Sequence, residues 1–169
     1  PLLTLGIPTS ATAAILLARA GWSVALVEKE TFPRRKVCGE CVAASNLALL
    51  DEVGVGPAFN AAAGPALRRV ALLQRDGCVE ASLPAAANPG YRWGRALGRE
   101  TLDTLLIEQA RSVGATVLQP WAILALAGTP GSFGTTSARR SGHGLRCRPA
   151  RRAPRGALRL NLKPRGGRG

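Results

Sequence analysis

Glu28 closes a short apolar run, residues 23–28, and lies 22 residues after Gly6. A carboxylate at that offset, behind a strand–helix–strand pattern, is placed to accept hydrogen bonds from ribose hydroxyls in a dinucleotide site. The turn before the helix would supply the other half. Its backbone N–H groups and the positive end of the helix dipole attract a pyrophosphate. From spacing alone, the competing reading is a surface carboxylate at a strand end. A second cluster lies in residues 31–41, where Arg34, Arg35 and Lys36 precede Cys38 and Cys41. Read without other context, this is a solvated basic loop. The C-x-x-C formed by Cys38 and Cys41 has no second pair at zinc spacing, and His143, the sole histidine, is remote. A tetrahedral zinc site takes four ligands, so no metal is expected. A redox pair would open a helix after a strand, whereas this pair follows a basic loop. No Ser/His/Asp set or other independent acid, base or nucleophile is recognisable.

The elements that would position Glu28 are legible nearby. Residues 2–6 suit the end of a buried strand. Residues 11–20 read as a helix apolar almost all round, which implies burial, and Gly21 is placed to stop it. Residues 23–28 form the second strand. Strand, buried helix and strand within 30 residues predict a β-α-β unit with parallel pairing. A short helix is expected over residues 45–53, ending at Gly54. Residues 68–83 read as a hairpin, with Val70, Leu72 and Val79 flanking the turn signal Asp76-Gly77. Leu102, Leu105, Leu106, Ala110 and Val113 recur at helical spacing and predict a helix over residues 100–113, ended by Gly114. Residues 115–118 and 122–126 are candidate strands.

Charge divides the chain unevenly. The net charge of +13 arises from 23 basic and ten acidic residues among 169, and every acid lies between Glu28 and Glu108. Residues 139–169 hold eleven Arg and Lys, leaving twelve basic against ten acidic groups before them. The body is nearly neutral and the tail strongly basic. From about residue 128, Gly, Ser, Pro and Arg dominate with little periodicity. Such a segment buries too little apolar area to offset its ordering entropy, so a disordered tail is expected over residues 128–169. The abrupt loss of acids and pattern also fits a GC-rich gene read out of frame. Polyanion or nucleic-acid binding through this tail is the alternative function, with affinity falling as salt rises. Against it, no aromatic follows Phe133 for base stacking. An inactive remnant is the third reading. No run approaches the roughly 18–20 apolar residues of a membrane span, and no signal peptide is recognisable, so a cytoplasmic location is expected.

Three stretches carry a family resemblance. Residues 8–29 resemble the N-terminal segment of FAD-dependent monooxygenases and geranylgeranyl-reductase-like flavoproteins. Phe32-Pro33-Arg34-Arg35-Lys36-Val37-Cys38-Gly39-Glu40 is similar to the Pro-x-x-Lys-x-Cys-Gly loop of the reductase and halogenase-like branches. Leu97-Gly98-Arg99-Glu100-Thr101-Leu102-Asp103 resembles the Arg-x-x-(Phe/Leu)-Asp helix start of the same flavoproteins. The three occur in family order over residues 5–126, and the tail lies outside them.

The resemblance implies an α/β, Rossmann-like FAD/NAD(P)-binding fold, incomplete here, with residues 1–127 as a partial FAD-binding domain. It implies FAD as cofactor, NAD(P)H as reductant and a small-molecule substrate. Gly6, Pro8 and Ser10 would lie at the phosphate turn. Glu28, followed by Lys29, would hold the adenosine ribose. Arg35 and Lys36 would place positive charge by the cofactor, and Cys38, Gly39 and Glu40 would form the turn near the flavin or the substrate side. Arg99 would reach the cofactor from its helix. The chain departs from the family's Gly-x-Gly-x-x-Gly, because Leu5, Ile7 and Ser10 stand at the three glycine positions. A β-branched residue resists positive φ, so Ile7 is the change expected to cost most. The family's later Gly-Asp segment and its substrate sheet are not found in this sequence, which therefore reads as a fragment with weakened or lost flavin binding.

Overall fold

A computed structural model describes residues 2–3, 7–35, 40–129, 132–139 and 158–161. In chain order the elements are β1 (Leu2–Leu3), α1 (Ile7–Arg19), β2 (Ala25–Val27), β3 (Cys41–Val42), α2 (Ala44–Glu52), α3 (Gly56–Ala62), β4 (Arg69–Gln74) and β5 (Gly77–Ser82). They continue as β6 (Arg95–Ala96), α4 (Arg99–Ser112), β7 (Thr116–Leu118), β8 (Trp121–Thr129), β9 (Ser132–Arg139) and β10 (Leu158–Asn161). The chain divides into two compact units, residues 35–105 and residues 1–34 with 106–169, and the division falls inside α4.

The unit holding both termini is built on a parallel sheet ordered β1-β2-β7. Leu2 pairs with Ala25 and Leu3 with Leu26, while Ala25, Leu26 and Val27 pair with Thr116, Val117 and Leu118. Strand β2 is central and all three of its residues are buried. Burial on both faces is why its sequence runs apolar without alternation. Helix α1 connects β1 to β2, completing the expected Rossmann-like β-α-β unit. It starts at Ile7, four residues before the apolar run predicts, because Pro8 is tolerated in a helix's first turn. It is buried on one face rather than all round. Ile7, Ser10, Ala11, Ala14 and Ile15 are buried, whereas Leu16 is 43% exposed. Gly21 (φ 83°) and Gly114 (φ 94°) take the left-handed conformation just beyond α1 and α4, as their positions after the helical runs predict. Strands β8, β9 and β10 make a separate antiparallel sheet in the order β10-β9-β8. Strands β9 and β10 fall within residues 128–169.

In residues 35–105, helices α2 and α3 bury Leu47, Leu50 and Phe59, with Val53 and Val55 between the helices buried as well. Helix α3 ends on a side chain from far along the chain. Arg95 Nε donates to Gly64 O at 2.7 Å, Nη2 to Ala63 O at 2.8 Å, and Nη1 to Asn60 Oδ1 at 2.9 Å. A cation over these carbonyls also complements the negative end of the helix dipole. The predicted hairpin is present as β4 and β5, paired from Arg69↔Ser82 to Gln74↔Gly77. Gly77 is the first residue of β5, so the turn itself is Arg75-Asp76. Leu72, Leu73 and Val79 on this hairpin are more than 70% exposed. Strand β3 pairs with β6 through Cys41↔Ala96 and Val42↔Arg95.

Among the described residues, no helix is long and apolar enough to cross a membrane, and no group of three His, Cys, Asp or Glu is placed to hold a metal ion.

Candidate functional site

The carboxyl ends of parallel strands are where open α/β sheets bind ligands. Because β1 and β2 run parallel, α1 begins at the same edge of the sheet at which β2 ends. Glu28 stands one residue beyond β2 at this edge. Its backbone N–H donates to Leu118 O at 3.0 Å, which extends the β2–β7 ladder by one step and sets Glu28 beside Gln119. The return bond to Glu28 O comes from Trp121 N–H at 2.9 Å. Pro120 has no N–H to give. The Glu28 side chain is fixed in turn, with Oε1 accepting from Glu30 N–H at 2.9 Å. A half-buried carboxylate anchored through one oxygen at this edge can accept a pair of hydroxyl donors.

Gln119 lies at the same edge. Its Oε1 accepts from Phe32 N–H at 3.4 Å, and its Nε2 is buried with no hydrogen-bond partner among the described residues. Arg34, in the loop after β2, has a buried Nε in the same condition. Its guanidinium carbon lies 5.9 Å from the Phe32 ring centroid. An anchored carboxylate and unsatisfied buried donors suit the hydroxyls and ring acceptors of an adenosine, so this edge fits the adenosine part of FAD.

Of the residues the sequence singles out, Pro8 and Ser10 lie on α1, while Glu28 and Lys29 lie at the end of β2. Lys29 is exposed. Ile7 and Ser10 are each 1% exposed within α1, and no described residue other than glycine has positive φ. The strain expected at Ile7 is therefore absent, since its side chain packs from helical backbone. Gly6, Lys36, Cys38 and Gly39 fall outside the described residues. Arg35 and Arg99 belong to residues 35–105. Arg35 lies 3.9 Å from Glu100 with a side chain 98% exposed, a pairing worth little. Arg99 is held firmly, with Nε and Nη2 donating to the two carboxylate oxygens of fully buried Asp103 at 3.0 and 3.2 Å. The sequence reading missed Gln119. Its signal, a lone amide after a three-residue strand, gains meaning only through pairing with Glu28.

Residues 35–105 also enclose an open cleft of about 770 Å³, lined by Leu47, Asp51, Asn60, Tyr91, Trp93 and Arg95 among others. Tyr91 Oη donates to Asp51 Oδ2, and this bond raises the phenol above its ordinary value, with desolvation and the Asp51 charge adding to the effect. The folded chain thus holds the Tyr91 proton more tightly than the unfolded chain. The bond's stability contribution should be complete below pH 10 and fall as pH rises through the folded-state value. Urea midpoints measured from pH 8 upward should show this decline, and Tyr91→Phe should flatten it.

No family model matches the chain. The menaquinone reductase of Mycobacterium tuberculosis is 32% identical over 111 residues, covering 66% of this chain and 26% of that protein. The chain thus spans about a quarter of the length of the curated relatives it matches. Among solved structures, the myxobacterial chondrochloren halogenase, an FAD-dependent halogenase, has a TM-score of 0.71 at 17% identity over 95% of this chain and 34% of its own. A flavoprotein/dehydrogenase from Cytophaga hutchinsonii has a TM-score of 0.70 at 21% identity over 94% of this chain and 36% of its own. The chain has the fold shared by these flavoproteins.

Proposed function

We propose that this chain is the N-terminal FAD-binding part of an FAD-dependent oxidoreductase, of the monooxygenase and geranylgeranyl-reductase-like kind. The observation that carries the proposal is Glu28, its carboxylate anchored at the carboxyl end of the central strand, on the edge where α1 begins. In this reading Glu28 accepts hydrogen bonds from the adenosine ribose. The N-terminus of α1, with Pro8 and Ser10 in its first turns and Gly6 before it, faces the pyrophosphate. Lys29, Arg35, Lys36, Cys38, Gly39 and Arg99 enter as cofactor contacts on the family resemblance. When bound, the flavin supplies the redox chemistry, and the protein supplies binding, orientation and electrostatics. NAD(P)H is the proposed reductant. The sequence likeness to a menaquinone reductase favours a reductase over oxygen activation. A cytoplasmic location is part of the same proposal.

The test is flavin content. Purified protein, denatured and cleared, should release FAD, or the colourless protein should take up one FAD per chain on titration. Protein that neither releases nor takes up flavin overturns the proposal.

A further inference from the structure

We infer that Gln119 is a specificity residue for the adenosine half of the dinucleotide, donating its Nε2–H to an acceptor on the adenine or ribose. This rests on the proposed dinucleotide site and adds a residue to it. Gln119 follows β7 directly, and the bond from Glu28 N–H to Leu118 O sets it level with Glu28 on the neighbouring strand. Residues paired across a parallel ladder direct their side chains to the same face of the sheet. The amide's orientation is set by Phe32 N–H, which requires an acceptor and therefore receives Oε1. Nε2 is then directed into a buried position without an acceptor among the described residues. A buried donor left unsatisfied costs free energy, and such groups are rare in folded proteins. The cost is recovered when a ligand brings the acceptor. Arg34 Nε, also buried and unsatisfied after β2, points to the same conclusion, that this loop cluster is completed by a ligand rich in acceptors. Adenosine offers such acceptors in its ring nitrogens and ribose oxygens, and Glu28 beside Gln119 takes the ribose donors. One amide and one carboxylate thus read complementary groups of one nucleoside.

The experiment compares Gln119→Leu with the unaltered chain, using ADP, FAD and FMN as probes and thermal unfolding of the ligand-free protein as control. Leucine keeps the side-chain volume and removes the donor. The expected result is a roughly tenfold loss of affinity for ADP and FAD, equivalent to about 1.4 kcal/mol, with FMN, which lacks adenosine, unaffected. The melting temperature should change little, because removal of the unsatisfied Nε2 donor offsets loss of the Oε1 acceptor for Phe32 N–H. Gln119→Glu, which exchanges the donor for an acceptor beside Glu28, should lose more. ADP and FAD affinities within twofold of the parent overturn the inference. So does a drop in melting temperature with equal weakening of all three probes, which is the mark of a structural amide serving Phe32. If the unaltered chain binds neither ADP nor FAD, the dinucleotide reading itself has failed and this inference falls with it. Binding by the parent with no effect at Gln119 refutes the inference alone.

Discussion

Replacing Phe59 with alanine should lower the unfolding free energy of residues 35–105 by about 3–5 kcal/mol. Phe59 is 1% exposed and sits in the middle of α3, a helix of seven residues. A helix that short has little stability of its own in water and depends on the face it buries. Among its residues only Gly56 and Phe59 are buried, so the ring carries nearly all of that apolar burial. Truncation would remove the transfer free energy of the ring and leave a cavity beneath a helix with no second buried apolar side chain. Phe59→Leu, which keeps most of the volume, should cost less than about 1.5 kcal/mol. Urea unfolding of the three proteins checks this, with the slope showing whether the region still unfolds cooperatively. A loss below about 1 kcal/mol for the alanine variant would mean that α3 is held chiefly by its polar contacts.

Removing the carboxylate of Glu28 should weaken FAD binding by roughly 10- to 150-fold. That range corresponds to the 1.5–3 kcal/mol typical of a hydrogen bond to a charged group. Glu28→Ala removes both the acceptor for ribose hydroxyls and the bond from Glu30 N–H, whereas Glu28→Gln keeps a neutral acceptor and should fall between the two. The measurement is quenching of flavin fluorescence on titration, with FMN as comparison. FMN lacks the adenosine that Glu28 contacts in the proposed site, so its affinity should not change. Equal losses for FAD and FMN would show that the substitution disturbed the fold and did not remove a specific contact.

Much of this architecture was readable in advance, for identifiable reasons. Strand β2 and helix α4 carry unbroken apolar patterns, and glycines at positions 21 and 114 mark the helix ends. Such local signals survive folding because backbone conformation and burial agree there. The start of α1 was less legible, since Pro8 resembles a loop residue until its allowance in the first helical turn is considered. Helix α3 left almost no trace: Gly56 and Pro57 open it, small residues fill it, and one phenylalanine provides no period. Strands β3 and β6, two residues each, are shorter than any repeat can reveal. The candidate site divides likewise. Glu28 is proposed from its offset from a glycine, a one-dimensional feature. Gln119 could not be, because its relevance depends on the register of two strands about ninety residues apart.

Arg95 has a consequence for the order in which the molecule assembles. The guanidinium that closes α3 arrives some thirty residues after the helix has left the ribosome. Until then the last carbonyls of α3 must be served by water, and the helix frays from that end. The C-terminal end of α3 is thus closed by a contact that only the emergence of β6 can supply.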